Sequence, residues 1–199
     1  FPFAYEVTED ALTGKTDGIL KRPATDPLVI HTQTSSEYWE RRGSLVHTDS
    51  LGNTLPGHTN ARIYLFSSSQ HSADPFLGPK EGNHLYLSNP LNTTPILRAL
   101  LDAMDTWATN DRLPPDSQVP TLEAETLALA DVVERKFPTV SQVAHPNEAS
   151  RLYVQDHGPD FEKGIITTEP PVEDFSREYA VLVPQVDLDG NEVGGIRTP

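Results

Sequence analysis

The sequence contains no cysteine, which excludes disulfides, thiolate nucleophiles and cysteine-ligated metal sites. Basic residues are also few, because 15 Lys and Arg stand against 29 Asp and Glu, giving a formal net charge of -14. Since phosphate binding needs concentrated positive charge, this balance argues against nucleic acid as a partner. No stretch approaches the roughly 20 apolar residues of a membrane-spanning helix. We therefore expect a soluble protein, and its compartment stays open.

The length and composition allow one hydrophobic core. A chain of 199 residues with 36% hydrophobic residues is within the roughly 100–200 residues of a usual domain. We expect residues 1–199 to form a single domain, or the C-terminal part of a larger one. The sequence starts at Phe1 and shows neither an initiator Met nor a signal-peptide pattern, so we also expect the natural N-terminus to lie upstream.

Two strands separated by a helix are predicted in the first third of the chain. Residues 28–34 are rich in β-branched side chains and follow Pro27, and residues 61–66 form a second short apolar run. Residues 37–42 favour a helix, with Ser35 or Ser36 as its N-cap. This order indicates an α/β fold with parallel strands.

The clearest helix is predicted to begin at Thr94-Pro95 and to end before Asp111. Its apolar residues recur at helical spacing, and we expect all of them to lie in the core. They are Ile96, Leu97, Leu100, Leu101, Met104 and Trp107.

The second half of the chain gives weaker signals. Residues 127–133 and 140–143 are strand candidates among several prolines. Near the end, residues 179–183 and 192–196 flank Asp189-Gly190-Asn191, which predicts a terminal β-hairpin. The polar stretch from Ala73 to Thr94 is expected to be a lid-like loop or a rim segment that affects specificity.

Each of the two predicted strands is followed by a titratable residue, Glu37 or His71. In a parallel α/β sheet the carboxyl ends of strands meet at one edge, so we expect these two side chains to lie close together. A carboxylate that orients a histidine is the acid–base half of a nucleophilic triad, which also needs a serine. No G-x-S-x-G nucleophile elbow occurs in the sequence.

Several segments carry a resemblance to a known family, and Ser36-Glu37-Tyr38-Trp39 and Gln70-His71 are the most specific of them. The other segments are residues 26–35, 44–49, 60–66, 97–101, 113–117 and 183–192. Together they cover most of the chain, and they resemble the C-terminal half of a family of bacterial α/β-hydrolase-domain proteins.

The resemblance implies the C-terminal portion of an α/β-hydrolase sheet with flanking helices and a terminal β-hairpin. It also implies a serine hydrolase that acts on carboxylic esters, with Glu37 as triad acid, His71 as general base and no cofactor. The nucleophilic serine would come from an absent N-terminal half or a partner chain, and the substrate would be a small-molecule ester. The alternative is a noncatalytic scaffold or binding subunit of the same fold.

Each candidate site residue also has a simpler interpretation. Glu37 could act only on the helix dipole, and Asp49 is a competing acid. His71 could be a loop histidine without a role, and His31 is expected to be a hydrogen-bonded core residue. Tyr38 and Trp39 are candidates for substrate binding, although packing explains them as well.

Metal binding has little support in the sequence, and no metal is predicted. His47, Asp49 and His58 are ligand types, but their spacing matches no helix-borne zinc motif. Asp187 and Asp189 resemble part of a calcium loop, yet a hairpin turn explains them. A metal-dependent hydrolase using the first three residues stays a third possibility.

Overall fold

The computed structural model describes residues 3–72, 78–82 and 85–197. Within this part of the chain the strands form four two-stranded sheets. The strands are β1 (Thr8–Glu9), β2 (Thr16–Asp17), β3 (Val29–Thr34), β4 (Ala61–Phe66), β5 (Leu127–Ala128), β6 (Tyr153–Asp156), β7 (Val172–Glu178) and β8 (Val183–Pro184). The α-helices are α1 (Ser35–Arg41), α2 (Thr94–Asn110) and α3 (Ala130–Glu134). None of the described helices is both long and apolar enough to cross a bilayer.

The centre of the fold is a parallel pair, β3 and β4, in which Val29 lies opposite Ala61 and Thr34 opposite Phe66. Both strands were predicted, and β3 begins one residue later than expected. A parallel pair requires a crossover connection, and here the crossover contains α1 and a 3-10 helix at Gly43–Val46. Both strands therefore end at the same edge.

Helix α1 begins two residues earlier than the predicted range of 37–42, and Thr34, not Ser35 or Ser36, is its N-cap. The side chain of Glu37, at the N3 position, accepts the N–H of Thr34 at 2.6 Å. This is the return bond of a capping box, and it stabilises the junction between β3 and α1. The helix ends at Arg42 in the left-handed region. A Cβ at Gly43 would collide with the side-chain oxygen of the buried Gln33. Glycine therefore allows the backbone to pass close to the Gln33 side chain at this position.

Strand β4 is buried on both faces, as expected for a strand inside an α/β fold. On one face, Leu65 packs with Tyr38, Leu127 and Leu182. On the opposite face, Tyr64 and Phe66 pack with Leu100 of α2 and with flanking residues. These two clusters place the hydrophobic core around the parallel pair.

Helix α2 has the predicted bounds, but the expectation that its whole apolar stripe is core was wrong. Leu100 and Trp107 are buried, whereas Leu97 is 46% and Leu101 69% exposed. The residues that α2 contacts cover only part of the apolar stripe. Ile96 and Met104 are partly buried, and Ile96 packs against the cluster of Tyr64, Phe66 and Leu100.

The terminal hairpin was predicted correctly at its turn. Asp187 N–H donates to the carbonyl of Asn191 at 2.8 Å, Gly190 has φ 85°, and Val186 pairs with Glu192. The two predicted hairpin strands were wrong. Of residues 179–183 only Val183 belongs to a strand, Val183–Pro184, and that strand pairs with β5. Residues 192–196 form no strand, and they contribute only isolated bridges from Glu192 to Val186 and from Ile196 to Phe66.

The other strand predictions in this half were largely wrong. Only Leu127–Ala128 is a strand, since the following residues form α3, and Val140 and Val143 are joined by a turn hydrogen bond. The antiparallel pairs β1–β2 and β6–β7 were not predicted. The polar and mostly exposed β7 lacks the apolar alternation on which strand prediction depends.

Replacing Leu65 by Ala should lower the free energy of unfolding by about 2–5 kcal/mol, because it leaves a cavity beneath the central strand. Leu101→Ala is the matched control, since the same side chain is removed from an exposed helical position. Its effect should stay within about 0.5 kcal/mol. Urea unfolding of both variants measures the difference, and equal losses would contradict the assignment of the core.

Candidate active site

Glu37 and His71 meet at the edge where β3 and β4 end. Nδ1 of His71 lies 2.5 Å from Oε1 of Glu37. The Glu37 side chain is 20% exposed and that of His71 80% exposed. The structure therefore brings together the two residues that the sequence placed at one edge, although they are 34 positions apart. Their chemical roles stay predictions.

The two carboxylate oxygens of Glu37 contact different residues. Oε2 accepts the backbone N–H of Thr34 at 2.6 Å and its hydroxyl at 2.5 Å, and Oε1 faces His71. Burial raises the pKa of Glu37, but the hydrogen bonds from Thr34 and His71 outweigh that effect and lower the pKa overall. Glu37 is therefore ionised at neutral pH. An ionised carboxylate on Nδ1 favours the tautomer whose Nε2 can accept a proton.

Asp49, the competing acid, accepts hydrogen bonds within its own loop. Its carboxylate accepts the N–H groups of Leu51 and Asn53 and the side-chain amide of Asn53, at 2.8–2.9 Å. These bonds stabilise a turn. Of the two candidate acids, only Glu37 contacts His71 in the described part of the chain.

The loop that carries His71 is anchored mainly through its backbone. The N–H of Ser35 donates to the carbonyl of Ser69 at 3.0 Å, and the N–H of His71 donates to Oγ of Ser36 at 3.2 Å. The side chain of Asn89 donates to the carbonyl of Ser68 at 2.9 Å. The first residues of α1 thus hold the histidine loop directly.

Glu192 is a site residue that the sequence analysis missed. It is only 6% exposed, and its Oε2 accepts the hydroxyl of Ser35 at 2.8 Å and the N–H of Ser68 at 2.7 Å. Burial raises its pKa, and the bonds from Ser68 and Ser35 oppose that rise. In the sequence Glu192 is one acid beside a turn, so only the long-range contacts show its position.

A cleft of about 270 Å³ is lined by Ser36 and Gln70, the residues that precede Glu37 and His71, but not by the pair itself. Its lining combines polar residues of the two loops with three larger apolar residues, Trp39, Phe137 and Pro146. Tyr38, the other aromatic candidate, is fully buried and does not line the cleft. A larger cleft of about 450 Å³ contains Arg151 and Glu178 but no residue bonded to Glu37 or His71. The smaller cleft is therefore the one next to the candidate site.

Part of the predicted rim segment from Ala73 to Thr94 lies outside the described residues, namely 73–77 and 83–84.

The three candidate metal ligands do not converge. Nε2 of the buried His47 shares a hydrogen bond of 2.8 Å with the Tyr38 hydroxyl, and Nδ1 of His58 accepts the N–H of Asn60. No group of three or more His, Asp or Glu suited to a metal ion occurs among the residues that the structure describes. His31 is hydrogen-bonded as predicted, because its two ring nitrogens contact the Tyr5 hydroxyl and the Gln33 amide, but it is only partly buried.

Glu37→Gln should destabilise the fold near neutral pH by roughly 1 kcal/mol, the usual net contribution of one hydrogen bond. Because the folded pKa of Glu37 is lowered, its contribution is present above the unfolded pKa and is lost as pH falls through the folded value. The difference between wild type and variant should therefore disappear in acid. Urea unfolding at neutral pH and near pH 3 tests this. Glu40→Gln, an exposed acid on the same helix, is the control, and an equal pH dependence in both variants would contradict it.

His47→Gln should make the stability of the fold less sensitive to mild acid. Burial, followed by repulsion from His31, lowers the pKa of His47 to about 4. Between about pH 6.5 and pH 4 this histidine binds a proton in the unfolded state but not in the folded state. This difference lowers the free energy of unfolding of the wild type by up to about 3 kcal/mol. Unfolding measured across this range should show a smaller loss for the variant. Parallel profiles would show that His47 is not buried in its neutral form.

One comparison with known protein families found a match. A family model described as alpha/beta hydrolase domain matches residues 6–199. No curated protein and no solved structure matched the chain. With the model covering nearly the whole sequence, the chain belongs to the alpha/beta hydrolase domain family.

Proposed function

We propose that this chain supplies the acid and the general base of a carboxylic ester hydrolase, with Glu37 and His71 as the last two members of a Ser-His-Glu triad. The observation that carries the proposal is the 2.5 Å contact between Nδ1 of His71 and Oε1 of Glu37. It occurs at the carboxyl ends of two parallel strands, where sites of α/β folds assemble, in a member of a hydrolase family.

The proposed reaction uses Nε2 of His71, the ring nitrogen that does not contact Glu37. Nε2 of His71 takes the proton of a serine hydroxyl while the serine Oγ attacks the ester carbonyl carbon. The resulting imidazolium gives that proton to the leaving alcohol, and an acyl-serine forms. His71 then removes a proton from a water molecule that attacks the acyl carbon, and it returns this proton to the serine Oγ as the acyl–Oγ bond breaks, so that the carboxylic acid, the free serine and the neutral imidazole result. Glu37 stays ionised and orients the ring throughout.

We propose that the nucleophile lies outside these residues, on an upstream segment or a partner chain. The sequence has no G-x-S-x-G elbow, and no hydroxyl among the described residues is bonded to Nε2 of His71. Within the described ranges β3 pairs only with β4, although parallel strands usually belong to larger covered sheets. A further strand beside β3 would complete such a sheet. In this proposal residues 1–199 are the C-terminal part of a larger domain.

The cleft beside the pair supports a small-molecule ester as substrate. Trp39 offers an apolar wall, and Ser36 and Gln70 supply polar groups next to the proposed base. We propose that Trp39 contacts the acyl or alcohol portion. Tyr38 packs in the core with Leu65, Leu127 and Leu182, and we propose no substrate contact for it.

A noncatalytic scaffold of the same fold is the second candidate, and the missing elbow is the observation that favours it. The two proposals differ in one respect, because only the hydrolase needs the Glu37–His71 contact for its activity.

His71→Ala in the natural protein should reduce ester hydrolysis by about 10³-fold or more, since a triad without its base keeps little of its rate enhancement. His58→Ala is the control, because the ring of that histidine accepts the N–H of Asn60 in its own loop, and it should change the rate less than twofold. Fluorophosphonate labelling followed by peptide mass mapping should locate a reactive serine outside this sequence. Unchanged hydrolysis in the His71 variant would reject the triad, and an inert wild-type protein would favour the scaffold.

A further inference from the structure

A buried carboxylate on the terminal hairpin joins the two segments that carry Glu37 and His71. Oε2 of Glu192 accepts the hydroxyl of Ser35, the first residue of α1, at 2.8 Å. The same oxygen accepts the backbone N–H of Ser68, in the histidine loop, at 2.7 Å. A third bond runs the other way, because the N–H of Glu192 donates to Oγ of Ser68 at 2.9 Å. One residue thus fixes the start of the acid-bearing helix to the base-bearing loop.

The loop needs support from its surroundings for two physical reasons, and the bonds to Glu192 add to the direct bonds between the loop and residues Ser35 and Ser36. Ser68 has φ 57°, a left-handed conformation that a non-glycine residue keeps only when its surroundings impose it. His71 itself is 80% exposed, so packing contributes little to its position. Its placement therefore follows from the anchored backbone before it.

The hairpin does not need the Glu192 side chain for its own turn. Oδ1 of Asp187 accepts the N–H groups of Asp189 and Asn191, at 3.0 and 2.9 Å. These bonds close the turn within the hairpin. The carboxylate of Glu192 instead bonds to Ser35 and Ser68. It therefore links the start of α1 to the histidine loop and does not close the turn.

We propose that Glu192 is a positioning residue for the acid–base pair, holding the loop of His71 at the hydrogen-bonding distance of Glu37. The inference rests on the proposed hydrolase function for its effect on rate. Glu192 acts through Ser35 and Ser68 and does not take part in proton transfer.

The oxygen of an amide can replace the carboxylate oxygen at this position, because Ser35 and Ser68 both donate to the same atom. Glu192→Gln should therefore keep the histidine loop in place, whereas Glu192→Ala removes the acceptor. Loss of positioning on the scale of 1 Å lowers kcat about 100-fold, with KM little changed. Glu192→Gln should restore kcat to within about threefold of wild type.

The experiment compares these two variants in the natural protein with Asp189→Ala, which removes an exposed acid from the same hairpin. Besides ester hydrolysis, NMR should follow the low-field proton on Nδ1 of His71, which reports the bond to Glu37 without any substrate. The signal should persist in wild type, Glu192→Gln and Asp189→Ala, and should be lost in Glu192→Ala.

The two readouts separate the failure of this inference from the failure of the proposed function. If the wild type hydrolyses no ester but the Nδ1 signal follows the expected order, the hydrolase proposal fails and the positioning role stands. If Glu192→Ala keeps the signal and kcat, or if Glu192→Gln is as defective as Ala, the positioning role is overturned. Should Glu192→Ala not fold, Ser35→Ala removes one donor and should weaken the Nδ1 signal, and an unchanged signal would overturn the inference.

Discussion

The parallel pairing of Val29–Thr34 with Ala61–Phe66 is the constraint on which the rest of the structure depends. Its six-residue register puts Thr34 opposite Phe66, so the segments that follow the two strands leave from one edge. Residues that follow these strands can then meet in space although they are far apart in sequence. Burial of β4 on both faces fixes this register, because a slip by one residue would reverse which side chains enter each cluster.

Glu37 serves the fold and the proposed chemistry with different oxygens. Oε2 accepts the N–H of the N-cap Thr34, which stabilises the start of α1, and Oε1 faces His71. The bond that holds the helix start therefore also aims the carboxylate. Because Glu192 binds Ser35 beside it, the terminal hairpin belongs to the same network.

The sequence predicted the parts whose signals are local. Strand β4 and helix α2 have their expected bounds, and the turn at Gly190 follows from its residue type. The contact between Glu37 and His71 followed from the rule that parallel strands end at one edge. The exposure of Leu97 and Leu101 could not be predicted, because periodicity shows which face is apolar but not whether another element covers it. The position of Glu192 in the site could not be predicted for a similar reason, because its partners Ser35 and Ser68 lie 157 and 124 residues away in the sequence.

The central claim is that this edge of the sheet presents a histidine base, already oriented by Glu37, to a serine from outside these residues. A crystal structure of the natural protein inactivated by a phosphonate ester mimic tests it most directly. The account predicts a phosphonylated serine, upstream or on a partner chain, with its Oγ within hydrogen-bonding distance of Nε2 of His71 and with Nδ1 still on Glu37. A modified serine distant from His71, or a His71 ring turned away from Glu37, would contradict it.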